Sequence, residues 1–114
     1  MDDIDAPTAT LTTALDLSAE RLVIKLAGEI DMASVDPLIR TLDAVDEHVA
    51  TSVVVDLDEV TFIDSSGLRT LLVGRDELAE RGIDLMVRNP QPQAVRLLTI
   101  TCTEDILLER HHAS

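Results

Sequence analysis

Aromatic residues are almost missing from this chain. Its 114 residues hold one Phe and no Trp or Tyr, so the core must be built from aliphatic side chains, with Phe62 expected as a plug beside it. A single cysteine, Cys102, excludes an internal disulfide, and the chain shows no catalytic Cys/His pattern and no Cys cluster for zinc. It is expected as a small buried apolar side chain. Basic residues are scarce, 9 Lys and Arg against 22 Asp and Glu, for a formal charge of −13. A surface that acidic repels phosphate backbones and argues against direct nucleic-acid binding. It suits a basic protein partner, although solubility alone would also explain it. No apolar run approaches the ~20 residues of a membrane span. The acidic start, Met1-Asp2-Asp3-Ile4-Asp5, lacks the basic and apolar regions of a signal peptide, so a cytoplasmic protein with no membrane partner is expected. Gly-x-x-x-x-Gly-Lys-Ser and Gly-x-Gly-x-x-Gly are both absent, which leaves no nucleotide fingerprint and no cofactor expected.

What is present is enough for one domain, with a hydrophobic share of 46%. Its central stretch opens with Val53-Val54-Val55 and Leu57, an unalternating β-branched run that reads as a strand buried on both faces. Asp56 and Asp58 are expected to end it. A helix follows, with Leu68, Leu71, Leu72, Leu78 and Ala79 at helical spacing and Gly82 placed as a C-terminal cap. Between strand and helix stands Ile63-Asp64-Ser65-Ser66-Gly67, where free N–H groups and the helix dipole favour an anion. N-capping alone would explain one Asp or Ser there. Asp-Ser-Ser-Gly carries more hydroxyls than a cap needs, and Gly67 offers no side chain to block approach to the backbone. Spacing alone leaves capping and a phosphorylatable serine both open.

Around this stretch the chain reads as a leader over 1–9, a domain over 10–109 and a loose tail over 110–114. Leu11–Leu17 and Leu22–Leu26 form a hairpin about Ser18-Ala19-Glu20, hence an antiparallel edge. Ser34 is placed as the N-cap of a first helix, with Val35, Leu38, Ile39, Leu42 and Val49 on its apolar face and its end near Ala50. Ile83–Val87 is a further strand. Asn89-Pro90-Gln91-Pro92 turns into a short helix expected to bury Val95 and Leu98, with Leu97 as a further candidate, and to end early at its β-branched run Thr99-Ile100-Thr101. Ile106-Leu107-Leu108 reads as a short edge strand or a helical turn. The order is that of an α/β domain with a mostly parallel sheet.

Two motifs, Leu26-Ala27-Gly28-Glu29-Ile30-Asp31 and the run Val54–Leu72 around Asp64-Ser65-Ser66-Gly67, resemble those of the STAS domain. Within it they resemble the bacterial anti-sigma factor antagonists. The resemblance implies a single STAS-like domain: a small mixed, mostly parallel sheet with an antiparallel N-terminal edge and helices packed mainly on one side. It implies that Ser65 is phosphorylated, with Asp31, Asp64, Ser66, Gly67, Leu68 and Arg69 forming the partner-binding surface around it, Arg69 the more exposed of the last two. It implies a protein that binds an anti-sigma factor serine kinase when unphosphorylated, frees a sigma factor, and is reset by a serine phosphatase. Such a protein is a substrate and ligand, not an enzyme. A second reading is a STAS adaptor subunit of a transporter or signalling assembly, without phospho-switching. The family also tends to carry a Gly near Cys102 and a further C-terminal helix.

A serine hydrolase fails on spacing, because Ile63 stands where Gly-x-Ser-x-Gly needs its first glycine. No motif places His48, His111 or His112 beside Ser65, and His48 reads as a helix-end cation. Asp31 and Asp64 are two carboxylates without a third ligand, so they read as a polar rim rather than a metal site.

Overall fold

The computed structural model describes residues 11–109; the leader expected over 1–9 and the tail over 110–114 lie outside the described residues. The elements run β1 (Leu11–Ser18), β2 (Arg21–Ile30), α1 (Asp36–Asp43), β3 (Ser52–Ile63), α2 (Ser65–Ala79), β4 (Asp84–Arg88), α3 (Pro92–Ile100) and α4 (Glu104–Leu107). They form one four-stranded sheet in the order β1-β2-β3-β4. β1 and β2 are antiparallel, and the other two pairings are parallel. This is the mixed, mostly parallel sheet that the sequence predicts.

The hairpin turns on Ala19 and Glu20, both left-handed with φ of 51° and 66°. A two-residue turn between twisted strands requires that conformation, which usually falls to Asn-Gly. The Glu20 carbonyl then accepts from Thr51 N–H at 2.8 Å and anchors the start of β3.

Side-chain alternation sorts the sheet into two faces. A Cβ added at Gly74 of α2 would lie 2.8 Å from Leu42 Cδ1 and 4.0 Å from Leu85 Cδ1, so α1, α2 and the Leu85 face of β4 meet there. Leu85 pairs with Val53 and Val53 with Leu22. That face therefore carries Ile24, Leu26, Val53, Val55, Leu57, Leu85 and Val87, all in the core. Val54 points to the other face and is nonetheless 0% exposed, so β3 is buried on both sides as its β-branched run predicts.

β3 does not end at Asp56 and Asp58. It runs to Ile63 because β2 continues beside it, with two register shifts. Lys25 and Ala27 pair with Asp56 and Glu59, and Gly28 and Glu29 with Val60 and Phe62, so β3 carries one extra residue at each shift. Such bulges change which side chains face inward. Val60 and Ile63 turn into the core, while Phe62 is 41% exposed and does not plug it. Asp56 is buried beside the sheet rather than ending it, 3.3 Å from Arg88 Nη2.

The helices depart from expectation at their ends. α1 opens after Val35 with no side-chain cap, and it stops at Asp43. The Asp46 carboxylate accepts from His48 N–H at 2.8 Å, a local turn that competes with helix. Val49 and His48 thus lie in a turn beyond the helix, and Val45 and Ala50 fill the core instead. α2 closes at Gly82 (φ 76°), where Gly82 N–H donates to Ala79 O and Ile83 N–H to Leu78 O, the paired bonds of a glycine cap. α3 passes through Thr99 to Ile100, since Thr99 and Thr101 return their hydroxyls to the carbonyls of Val95 and Leu97. Ala94 and Leu98 are its buried residues, and Val95 is exposed. Cys102 is exposed, not buried, and stands left-handed (φ 59°) in the position Gly82 holds after α2. Ile106-Leu107-Leu108 divides between both expectations: Leu107 ends the single turn of α4, and Leu108 bridges in parallel to Val87.

Candidate functional site

The strand-to-helix corner after β3 gathers most of the residues singled out from the sequence. Asp64 is the N-cap of α2, with extended backbone (φ −106°, ψ −173°). Its Oδ1 accepts from Ser66 N–H at 2.9 Å and Gly67 N–H at 3.1 Å, satisfying two of the free donors at the helix end. Capping is therefore done by Asp64. Ser65 is the first helical residue and exposed, and among the described residues its hydroxyl makes no hydrogen bond. Ser66 is half-buried with its hydroxyl equally uncommitted. Neither serine is needed as a cap.

Gly67 has a different role from the one its sequence suggests. It is buried, and a Cβ there would lie 2.7 Å from Ile30 Cγ2 and 2.8 Å from Ile63 Cγ1. Its missing side chain lets the first turn of α2 seat on the ends of β2 and β3; it does not open the backbone to a ligand. Leu68 is likewise in the core, so its side chain is not on the surface beside Ser65. Arg69, one turn on from Ser65, is exposed and borders a groove of about 400 Å³ between α1 and α2 lined by Ile39, Leu42, Val73 and Gly74.

Asp31 reaches the corner through the backbone. Asp64 N–H donates to the Ile30 carbonyl at 3.1 Å, which sets the turn after β2 beside the start of α2. Asp31 is half-buried, and its Oδ1 accepts from Ala33 N–H at 3.0 Å and from the Ser34 hydroxyl at 2.9 Å. Two exposed apolar side chains belong to the same region: Met32, 79% exposed and next to Asp31, and Phe62, two residues before Asp64. Among the described residues no three His, Cys, Asp or Glu side chains converge on a metal position.

Sequence reasoning missed two residues. Gln93 on α3 binds the Ile63 backbone from both sides, accepting from its N–H at 2.9 Å and donating to its carbonyl at 2.8 Å. β4 ends at Arg88, so this side chain takes the place of a neighbouring strand just before the serine corner. Gln91 adds a bond from Nε2 to the Asp58 carbonyl at 2.8 Å. Ser34, expected as a helix cap, instead bonds within the Asp31 turn. The Pro-flanked glutamines and the Asp-x-x-Ser spacing were visible in the chain, but their partners were not.

Comparison with known proteins follows the same lines. A family model described as "Mlab, STAS domain" matches residues 13–109. The chain is similar to an anti-sigma factor antagonist from Mycobacterium paratuberculosis, at 26% identity and a TM-score of 0.75, covering 94% of this chain and 92% of that one. It has the fold of the phosphorylated Bacillus cell fate determinant SpoIIAA, at 21% identity and a TM-score of 0.67, covering 89% and 93%. A sulfate transporter family protein from Wolinella succinogenes shares the fold too, at 17% identity and a TM-score of 0.68, covering 81% and 75%. No helix among the described residues is long and apolar enough to cross a membrane.

Proposed function

The chain belongs to the STAS domain family, and from that premise we propose that it is an anti-sigma factor antagonist switched by phosphorylation of Ser65. Unphosphorylated, it binds an anti-sigma factor that is also a serine kinase and so frees a sigma factor. Phosphate on Ser65 ends that binding, and a serine phosphatase restores it. On this reading Ser65 is acted upon and the chain is not an enzyme.

The observation that carries the reading is the division of labour at α2: Asp64 caps the helix, and Ser65 stands exposed at its first position with a hydroxyl that bonds to none of the described residues. A phosphate there adds about −1.5 to −2 charges. In the free protein the helix N-terminus offsets that charge. Under a docked partner the same phosphate is desolvated beside Asp64 and near Asp31, and a buried uncompensated charge costs several kcal/mol, where ~1.4 kcal/mol is already tenfold in affinity. Asp31, Asp64, Ser65, Ser66 and Arg69 form the docking surface, and Gly67 and Leu68 seat it from below.

The test is incubation with the cognate kinase and ATP, followed by mass spectrometry. The tryptic peptide Thr41–Arg69 should gain one phosphate, placed by fragmentation on Ser65. Ser65→Ala should keep the fold and bind the anti-sigma factor constitutively, and Ser65→Glu should bind it weakly. Ser66→Ala should still be phosphorylated and lose no cap. Phosphate found only on Ser66 or a threonine would overturn the assignment. The likeness to a sulfate transporter family protein favours one other reading, an adaptor subunit of a transporter or signalling assembly. That reading wins if no kinase binds and Ser65→Glu behaves as wild type in the cell.

A further inference from the structure

The sheet has two edges, and they end differently. At β4 the chain covers its own edge: Leu108 bridges to Val87, and Glu109 N–H donates to the Val87 carbonyl at 2.9 Å. β1 has no such cover among the described residues, and everything in it after Leu11 is exposed. Edge strands are normally guarded by Lys, Pro, a bulge or shortness. β1 runs eight residues without Lys or Pro, and it pairs with β2 without a register shift from Leu11 and Gly28 to Ser18 and Arg21. The turn fixes which backbone groups are free. Ala19 and Glu20 are both left-handed, so Ser18 and Arg21 are the hydrogen-bonded pair that closes a two-residue turn. Counting back from there, Asp16 and Ala14 bond to β2, while the N–H and C=O groups of Thr13, Leu15 and Leu17 point away from the sheet. The side chains of these three residues share the α1 side of the sheet. Leu15 and Leu17 are 60% and 48% exposed there, and Leu15 borders a groove of about 320 Å³ between β1 and Pro37, Thr41 and Ala44 of the α1 segment.

We propose that β1 pairs antiparallel with β1 of a second copy of this chain, about a two-fold axis at Leu15, joining two four-stranded sheets into one. The strand is its own complement in that register. Leu15 falls against Leu15 and Thr13 against Leu17, so all the outward groups of these residues gain partners and four exposed leucines gather on one face. On the other face Asp16, the only charge of the strand, falls against Ala14, and Ser18 against Thr12. Centring the axis on Asp16 instead sets two carboxylates directly opposite, and centring it on Ala14 draws the leucines apart. The ten residues before β1 hold three aspartates and Pro7, a poor complement for a ladder. A two-fold contact of this kind closes at two copies. The serine corner opens from β3, two strands inward, and is left uncovered in both copies.

The test is sedimentation equilibrium of the full chain from micromolar to millimolar protein at two ionic strengths. A monomer–dimer equilibrium that strengthens with salt is expected, because screening relieves the repulsion of two chains of charge −13 and spares the backbone and apolar contacts. Leu15→Lys sets like charges together on the axis and removes two leucines from the cluster, so it should raise the dissociation constant by about 10-fold or more. Circular dichroism checks that this variant keeps its fold; if it does not, Thr13→Lys at another exposed position puts a charge against Leu17 and should weaken the dimer likewise. In a Cys102→Ser background, Leu15→Cys should form a disulfide-linked dimer about 10-fold faster than Leu17→Cys, because only position 15 meets its own copy at a Cα separation of about 5.5 Å. A wild type that stays monomeric throughout, or that salt dissociates, would overturn the proposal. So would a dimer that Leu15→Lys leaves intact, or Leu17→Cys cross-linking as fast as Leu15→Cys.

Discussion

Two glycines on the same helix should answer one substitution with opposite signs. At Gly67 an added Cβ would lie 2.7 Å from Ile30 Cγ2, 2.8 Å from Ile63 Cγ1 and 3.1 Å from the Ile30 carbonyl oxygen. Carbon atoms rest about 3.5–4.0 Å apart, so these groups must separate by most of an ångström. Neither isoleucine can give way easily: both are buried, their γ-branches lie close to the backbone, and the third contact is backbone in a paired strand. Overpacking of this kind costs about 1–3 kcal/mol. At Gly74 the close contact is Leu42 Cδ1 at 2.8 Å, with the next atom at 3.8 Å. That methyl is the far end of a side chain that can rotate, and an interior helical Gly→Ala change gains roughly 0.8–1 kcal/mol of helix propensity. Gly67→Ala should therefore destabilise by about 1–2 kcal/mol after a partial propensity gain, and Gly74→Ala should be neutral or stabilising. At about 4–8 °C per kcal/mol for a domain of this size, the melting temperatures should differ by roughly 10 °C. Urea and thermal unfolding of the two variants side by side, with equal m-values, measures it. Because Gly67 seats the first turn of α2, its variant should also be phosphorylated more slowly at Ser65. Gly67→Ala as stable as Gly74→Ala would refute the steric reasoning.

Val54→Asp puts an unpaired charge at a site with no exposure and should unfold the domain; unchanged circular dichroism and melting would sink the assignment of β3 as a strand buried on both faces. Burial pushes the Asp56 carboxyl up, but the Asp58 N–H, Arg88 and Asn89 together outweigh it and hold the carboxyl below its ordinary value. A lowered folded value means stability that is present above the unfolded value of about 3.9 and is lost as pH falls through the folded one. Arg88→Met should thus be less stable than wild type at pH 7, with the gap closing below about pH 4. A gap that stays constant from neutral to acid pH contradicts the linkage. Gln93→Ala leaves two Ile63 backbone groups without their partner and should cost about 1–3 kcal/mol. It should also quicken amide exchange at Ile63 in a hydrogen-exchange experiment, and unchanged protection there would show that the clamp is not needed.

What could be read from the chain was what neighbours in sequence decide. The run Val53-Val54-Val55, the Gly82 cap and the hairpin about Ser18-Ala19-Glu20 each depend on residues within a turn of one another, and each stands, with Ser18 closing β1 and the turn itself at Ala19-Glu20. The end of β3 does not. It is set by β2, whose shorter count against β3 produces the bulges at Lys25/Ala27 and Gly28/Glu29. A period of 2 counted along β3 alone cannot register them, so Asp56 looked like a strand end and Phe62 like a core residue. Asp56 stays within the strand because Arg88, 32 residues later, and Asn89 bond to it. The end of α1 is a different kind of miss. Asp46 offers the local turn that stops the helix, and the apolar spacing of Leu42 and Val49 says nothing of that turn.

The serine corner was legible in part for the same reason. Asp64, Ser65 and Gly67 are adjacent, and a strand followed by a helix places them at the helix start without any long-range information. The rigidity of the corner was not legible, because its ties come from three distant places. Asp64 N–H binds the Ile30 carbonyl, Gln93 clamps Ile63 from α3, and Gly67 packs between Ile30 and Ile63. None of these ties uses the Ser65 hydroxyl. A phosphate added there would leave all three intact and alter only the charge and bulk of the exposed face. A switch of this kind needs no second conformation of the domain. On the proposed reading, the free energy that ends binding comes from the docked state, where the new charge is desolvated between the partner and the carboxylates of the corner.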